Sequence, residues 1–110
     1  MQRSWPEEIY QKAKITNLIL ISLYALENSG QKITFERLLK ECFNLFPQKF
    51  NFSKYSDWPD ARKLDRTLRS LRKKKLVLGN PKENFSLTKE GQKEALEVMN
   101  LLKQRKLKLK

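Results

Sequence analysis

Few of the 110 residues are of types that do covalent chemistry. There is no His and a single Cys, Cys42. That excludes a His-based triad, a His general base, His-ligated metal, an intrachain disulfide and a paired-cysteine zinc site. The clustered carboxylates are Asp57, Asp60 and Asp65. Their positions suit helix capping and flanking charge, whereas a nuclease needs two or more carboxylates converging on a metal. The three glycines, Gly30, Gly79 and Gly91, are too far apart for a phosphate-cradling loop. The side chains that carry a chemical message are cations. Arg62, Arg66, Arg69 and Lys73 recur at spacings of three and four, with Lys63 and Ser70 flanking them at 100° per residue. A solvated helix face usually mixes signs, because like charges one turn apart repel. A face of cations alone is the arrangement that an anion lying along the helix relieves, and the chemistry is polyanion binding.

The whole chain agrees with this. Lys and Arg number 24 against 12 Asp and Glu, a net charge of +12. Residues 57–75 carry a net +5 and residues 89–110 a net +4, while residues 1–30 are neutral. Such a balance favours a polyanionic partner. The longest apolar run, Leu18 to Ile21, is far below the roughly 20 residues of a membrane helix, and the N-terminus lacks a signal-peptide layout. The expectation is a small, soluble, intracellular (cytoplasmic or nucleoid-associated) domain that is not an enzyme and takes no cofactor, no metal and no membrane. One domain over residues 1–104 is expected, followed by a basic tail, Arg105 to Lys110.

The elements that must position the cations are legible in part. Ser4 and Glu7 read as a capping box opening a first helix that runs to about Asn28, with Gly30 as its stop. Leu18, Ile19, Leu20, Ile21, Leu23, Tyr24 and Leu26 point all round that helix. It is either wrapped by its own domain or partly a dimer seam. Lys32-Ile33 suggests a very short strand. Thr34 caps a second helix over Phe35 to Phe46, in which Cys42 lies on the apolar stripe and is expected to be a buried, inert thiol; Pro47 ends it. Phe50, Phe52 and Tyr55 in the following connection read as core anchors or as a base-stacking surface. A third helix opens at Asp57-Trp58-Pro59-Asp60 and runs to about Lys74, with Ala61, Leu64, Leu68 and Leu71 as its core stripe. Leu76 to Leu78 and Phe85 to Leu87 form a hairpin around a six-residue tip, Gly79 to Asn84. Thr88 caps a fourth helix to about Gln104, its inner face being Ala95, Leu96, Met99 and Leu102.

The expected class is mainly α with a small β-hairpin. The order helix, strand, helix, helix, strand, turn, strand, helix resembles the winged helix-turn-helix superfamily. The stretch from Leu68 to Gly79, LRSLRKKKLVLG, followed by FSLTKEG over Phe85 to Gly91, is similar to the L..L..KGLV…..Y.LT..G pattern that closes many prokaryotic winged-helix regulators, MarR- and PadR-type proteins among them. The resemblance covers residues 9–100 as an order of elements and residues 68–91 as a motif. It implies that the third helix enters a DNA major groove and that the hairpin is a wing. Arg62, Lys63, Arg66, Arg69, Ser70 and Lys73 would then face the groove, and Asn80, Lys82 and Asn84 would lie in the wing. The chain departs from the pattern in the ten-residue link between its second and third helices and in a nearly neutral wing, Lys82 beside Glu83. Gly91 is expected to let the last helix approach the hairpin closely.

The expected function is double-stranded DNA binding by a transcriptional regulator; if it pairs as a homodimer, the first and fourth helices are the expected seam. The alternatives are an RNA- or single-strand-binding module and a protein-interaction subunit that uses Trp5, Trp58 and the apolar first helix.

Overall fold

A computed structural model describes residues 4–55, 57–80 and 82–108. In chain order the elements are α1 (Glu7–Tyr10), α2 (Ile15–Asn28), α3 (Phe35–Leu45), α4 (Pro47–Phe50), α5 (Ala61–Lys73), β1 (Val77–Leu78), β2 (Ser86–Leu87) and α6 (Lys89–Lys108). The two strands pair antiparallel, Val77 opposite Leu87 and Leu78 opposite Ser86. The class is therefore mainly α with one small β-hairpin.

The core is built around α2. Leu18, Ile19, Leu20, Ile21, Leu23 and Leu26 are all buried, and α3, α5, β2 and α6 pack around the helix. Most of its apolar surface is enclosed by its own chain, with Ile15 and Tyr24 half-buried. Gly30, at φ 75, follows the helix end as its spacing predicts.

The single first helix of the sequence reading is two helices. Lys14 is extended at φ −69 and ψ 140, so the chain turns between Tyr10 and Ile15. Tertiary packing outweighs helix propensity here. Tyr10 is buried edge-on against Phe46 at 5.1 Å, its hydroxyl accepts from the Gln48 N–H, and the Trp5 N–H donates to the Leu45 carbonyl. These contacts hold α1 across the α3–α4 corner. The Ser4 capping box is not formed: Pro6 occupies the cap position of α1, with no side-chain cap.

Thr34 caps α3, accepting from the Arg37 N–H at 3.2 Å. The helix stops at Leu45, and Pro47 opens the one-turn helix α4, where its missing N–H costs nothing. Lys32-Ile33 is not a strand. The Ile33 carbonyl accepts a single hydrogen bond from Phe85 N–H at 2.8 Å, too little for a ladder.

The third helix of the sequence begins three residues later than its Asp-Trp-Pro-Asp start suggests. Asp60 is the cap of α5, its carboxylate accepting from the Arg62 and Lys63 N–H groups. The residues before it are committed elsewhere: Phe52 N–H donates to the Trp58 carbonyl, Asp60 N–H donates to the Phe50 carbonyl, and Asn51 bridges Pro59. Leu64, Leu68 and Leu71 are buried and Ala61 is half-buried, so the stripe faces α2 as its spacing predicts.

Helix α5 ends by closing on itself. Leu76 N–H donates to the Leu71 carbonyl and Lys75 N–H to the Arg72 carbonyl, which puts Lys75 at φ 61 in the left-handed region. The Cβ of Lys75 carries a strain of about 1 kcal/mol there. Thr88 caps α6 by accepting from Gly91 N–H, and its hydroxyl donates to the Lys75 carbonyl at 2.8 Å. A Cβ on Gly91 would collide with the Leu76 carbonyl, which is the close approach the sequence suggests. Helix α6 buries Ala95 and Leu102 and half-buries Val98 and Met99, while Leu96 faces outward. It runs to Lys108, so most of the expected basic tail is helical. Arg105 donates to the Ile9 carbonyl, and Lys106 lies over the Trp5 ring. Leu109 and Lys110 fall outside the described residues.

One polar contact ties the layers together. The Glu27 carboxylate, near the end of α2, accepts from Leu87 N–H at 2.8 Å and from Gln92 Nε2 at 3.3 Å. Glu27→Ala removes a charged acceptor from a half-buried backbone donor and is expected to cost about 1–3 kcal/mol, read as a lower urea midpoint at unchanged slope. Glu27→Gln keeps an acceptor and is expected to cost less.

Cys42 is completely buried, and that burial pushes its thiol from an ordinary 9.0 up to about 12, against a lowering hydrogen bond from Ser22. The folded thiol keeps its proton through the range in which the unfolded one loses it. Between pH 9 and 12 the native chain therefore holds more protons than the unfolded chain, and this group makes stability fall as pH rises through that range. A disulfide-exchange reagent at pH 8 is expected to leave the native thiol untouched and to titrate it fully in denaturant. Rapid reaction of the native protein would contradict the burial.

Candidate nucleic-acid interface

The basic face is built by α5 alone. Its inner side is fixed by Leu64, Leu68 and Leu71, and the 100° turn per residue carries Arg62, Arg66, Arg69 and Lys73 to the opposite side, where all four are exposed. Arg62, Arg66 and Arg69 come together on one open concavity of about 440 Å³, whose other lining residues are Phe35, Ala61 and Asp65. Asp65 forms an ion pair with Arg69 at 3.2 Å. The concavity is thus lined by three arginines against one aspartate, and a guanidinium takes a phosphate or carboxylate in forked geometry. Lys73 extends the same face toward the end of the helix.

The other expected site residues divide. Lys63 is drawn to the side of the face, where its ammonium donates to the Asn51 carbonyl at 3.0 Å and ties the preceding loop to α5. Ser70 is half-buried at the edge of the face. Asn80 is half-buried and shapes the turn, its side-chain oxygen accepting from Lys82 N–H at 2.9 Å. Lys82 and Asn84 are exposed at the hairpin tip, and Pro81 lies outside the described residues.

Two features escape the sequence reading. Arg72 donates to the Gly79 carbonyl at 3.0 Å and fixes the base of the hairpin to α5, so this arginine is structural although it sits in the basic run. The aromatic loop is split. Phe50 is fully buried as an anchor, but Phe52, Tyr55 and Trp58 are 39, 59 and 58% exposed. Phe50 closes the one-turn helix α4 while Phe52 lies beyond it, so the shared face that two-residue spacing gives an extended segment does not hold for this pair.

Among the described residues no three His, Cys, Asp or Glu side chains gather as a metal-binding group, and no helix is long and apolar enough to cross a membrane. Compared with known protein families, with curated proteins and with solved structures, the chain matches none.

The split between tying and exposed cations is measurable by thermal unfolding. Lys63→Ala breaks the bond to Asn51 and is expected to cost about 1–2 kcal/mol, a fall of several degrees in Tm. Arg66→Ala is expected to stay within about 0.5 kcal/mol of the parent.

Proposed function

We propose that the protein is a winged-helix module that binds double-stranded DNA through α5 and acts as a transcriptional regulator. The observation that carries this reading is the exposed cation face of α5, Arg62, Arg66, Arg69 and Lys73, of which only Arg69 has an acidic partner among the described residues. A helix about 10–12 Å across with its side chains fits the B-DNA major groove, which is about 12 Å wide. The hairpin between α5 and α6 supports the winged-helix part of the reading, because Arg72 and Thr88 hold it against the C-terminal end of α5 as a wing must be held. The arginines supply phosphate contacts and forked hydrogen bonds to guanine, and Lys73 supplies a further phosphate contact. The wing adds only Lys82, offset by Glu83, so most of the electrostatic attraction belongs to the helix.

Fluorescence anisotropy with a short random duplex over a salt series tests the reading. Binding is expected to weaken linearly in log salt, with a slope of about −0.9 per neutralised phosphate. The triple variant Arg62→Ala, Arg66→Ala, Lys73→Ala is expected to lose most of the affinity and to flatten the slope by about one unit per phosphate contact removed. A duplex affinity that survives the triple variant would overturn the assignment to α5. Preferential binding of the matched single strand would overturn the duplex reading itself.

A further inference from the structure

The loop from Asn51 to Asp60 exposes more aromatic surface than its folding requires. Its core anchor is Phe50, which is fully buried. Tyr55 and Trp58 are not anchors: their rings stack on each other, centroids 4.9 Å apart and planes 21° apart, while each residue remains more than half exposed. Each ring covers one face of the other, which leaves outer ring faces to solvent. With Phe52, Ser53 and Lys54 they line an open, almost wholly apolar concavity of about 320 Å³.

The pair is held in place by the backbone. Trp58 N–H donates to the Tyr55 carbonyl, and Phe52 N–H donates to the Trp58 carbonyl, so the two rings stand on a closed turn. That turn is fixed to α5 by the Asp60 cap and by Lys63 on Asn51. The rings therefore stand on the segment that leads into α5, Trp58 three residues before Ala61 and four before Arg62, the first cation of the face.

A flat π-surface beside a run of cations has a definite chemical complement: a planar, uncharged ring carried on an anionic backbone. Lys54, on the concavity itself, suits the backbone charge, and the net +12 of the chain draws polyanions to this surface. Asp57, exposed next to Trp58, disfavours a phosphate directly on the rings but not a base. Inside a duplex the bases are stacked on one another and offer no free face, so the base that meets these rings is unpaired.

We propose that the Tyr55–Trp58 pair stacks an unpaired nucleobase, and that the preferred ligand is a duplex continued by a single-stranded extension: α5 takes the duplex and the aromatic pair takes the first unpaired base. The proposal rests on the duplex reading of α5.

The test compares a blunt duplex, the same duplex with a short single-stranded extension, and the same extension made of abasic sugars. The extension is expected to tighten binding about fivefold or more, the abasic extension to add nothing, and Tyr55→Ala and Trp58→Ala to lose the gain while binding blunt duplex like the parent. Trp58→Phe is expected to retain part of it. In a Trp5→Phe protein, where Trp58 is the only indole, the extended duplex is expected to quench its fluorescence. Equal binding of blunt and extended duplex, or a gain that survives Trp58→Ala, overturns the proposal. Absence of quenching by both the extended duplex and the free strand overturns stacking whatever the duplex result. If blunt-duplex binding is indifferent to Arg62→Ala with Arg66→Ala, it is the duplex reading that fails, and quenching by the free strand decides the stacking separately.

Discussion

Everything on the surface of this protein depends on the burial of three leucines. Leu64, Leu68 and Leu71 lie against α2 and hold α5 in one orientation. The outer face of the same helix opposes its own formation, since Arg62, Arg66, Arg69 and Lys73 stand one turn apart with like charge. Each like-charge pair costs about 0.2–0.5 kcal/mol, and each buried leucine contributes about 1.5–3 kcal/mol. The core wins by a wide margin, so the cation face is imposed by packing on the opposite side. Asp65 and Asp60 moderate it in different ways, one by pairing with Arg69 and the other by capping the helix start.

The remaining elements hold α5 at its two ends. At its start, the loop from Asn51 to Asp60 is closed by backbone hydrogen bonds and tied by Lys63. At its end, the left-handed turn at Lys75 drops the chain into β1, and Arg72 clasps the carbonyl of Gly79. Thr88 and Gly91 then press the first turn of α6 onto that corner, while Glu27 reaches from α2 to β2. Neither end is left to fray, so the spacing of the cations is preserved along the whole helix.

What was legible in the sequence follows from periodicity and caps. The leucine stripe of α5, the Thr34 and Thr88 caps, the Gly30 stop and the hairpin are each decided by local rules acting within a few residues. The failures are places where distant contacts decide. Nothing local breaks the first helix between Tyr10 and Ile15; Phe46, far along the chain, does so by packing against Tyr10. Nothing local delays α5 to Asp60; pairing of Trp58 and Asp60 with Phe50 and Phe52 does. On α6 the miss is one of angle: Val98, three residues from Ala95 and four from Leu102, shares their face, while Leu96 is turned about 100° from Ala95 and stays exposed. On the candidate site, Arg62, Arg66, Arg69 and Lys73 were readable because exposure opposite a leucine stripe is a matter of angle. The structural use of Lys63 and Arg72 was not, because a cation that bonds a backbone carbonyl has the same letter as one that meets solvent.

The charge that suits the protein to a polyanion also works against its own fold. A net +12 on 110 residues repels itself in the compact state, and the repulsion is strongest where the cations are densest, along α5 and the end of α6. Salt at physiological strength screens exposed charges beyond about 8 Å. Screening therefore acts in opposite senses on the two properties: it relieves repulsion and favours the folded chain, and it weakens attraction to an anionic partner. Under the proposed reading, a polyanion lying along α5 would relieve the repulsion without weakening its own attraction, because it neutralises the cations directly. While those cations stand unneutralised, the apolar contacts of α2 are what hold the chain folded against their repulsion.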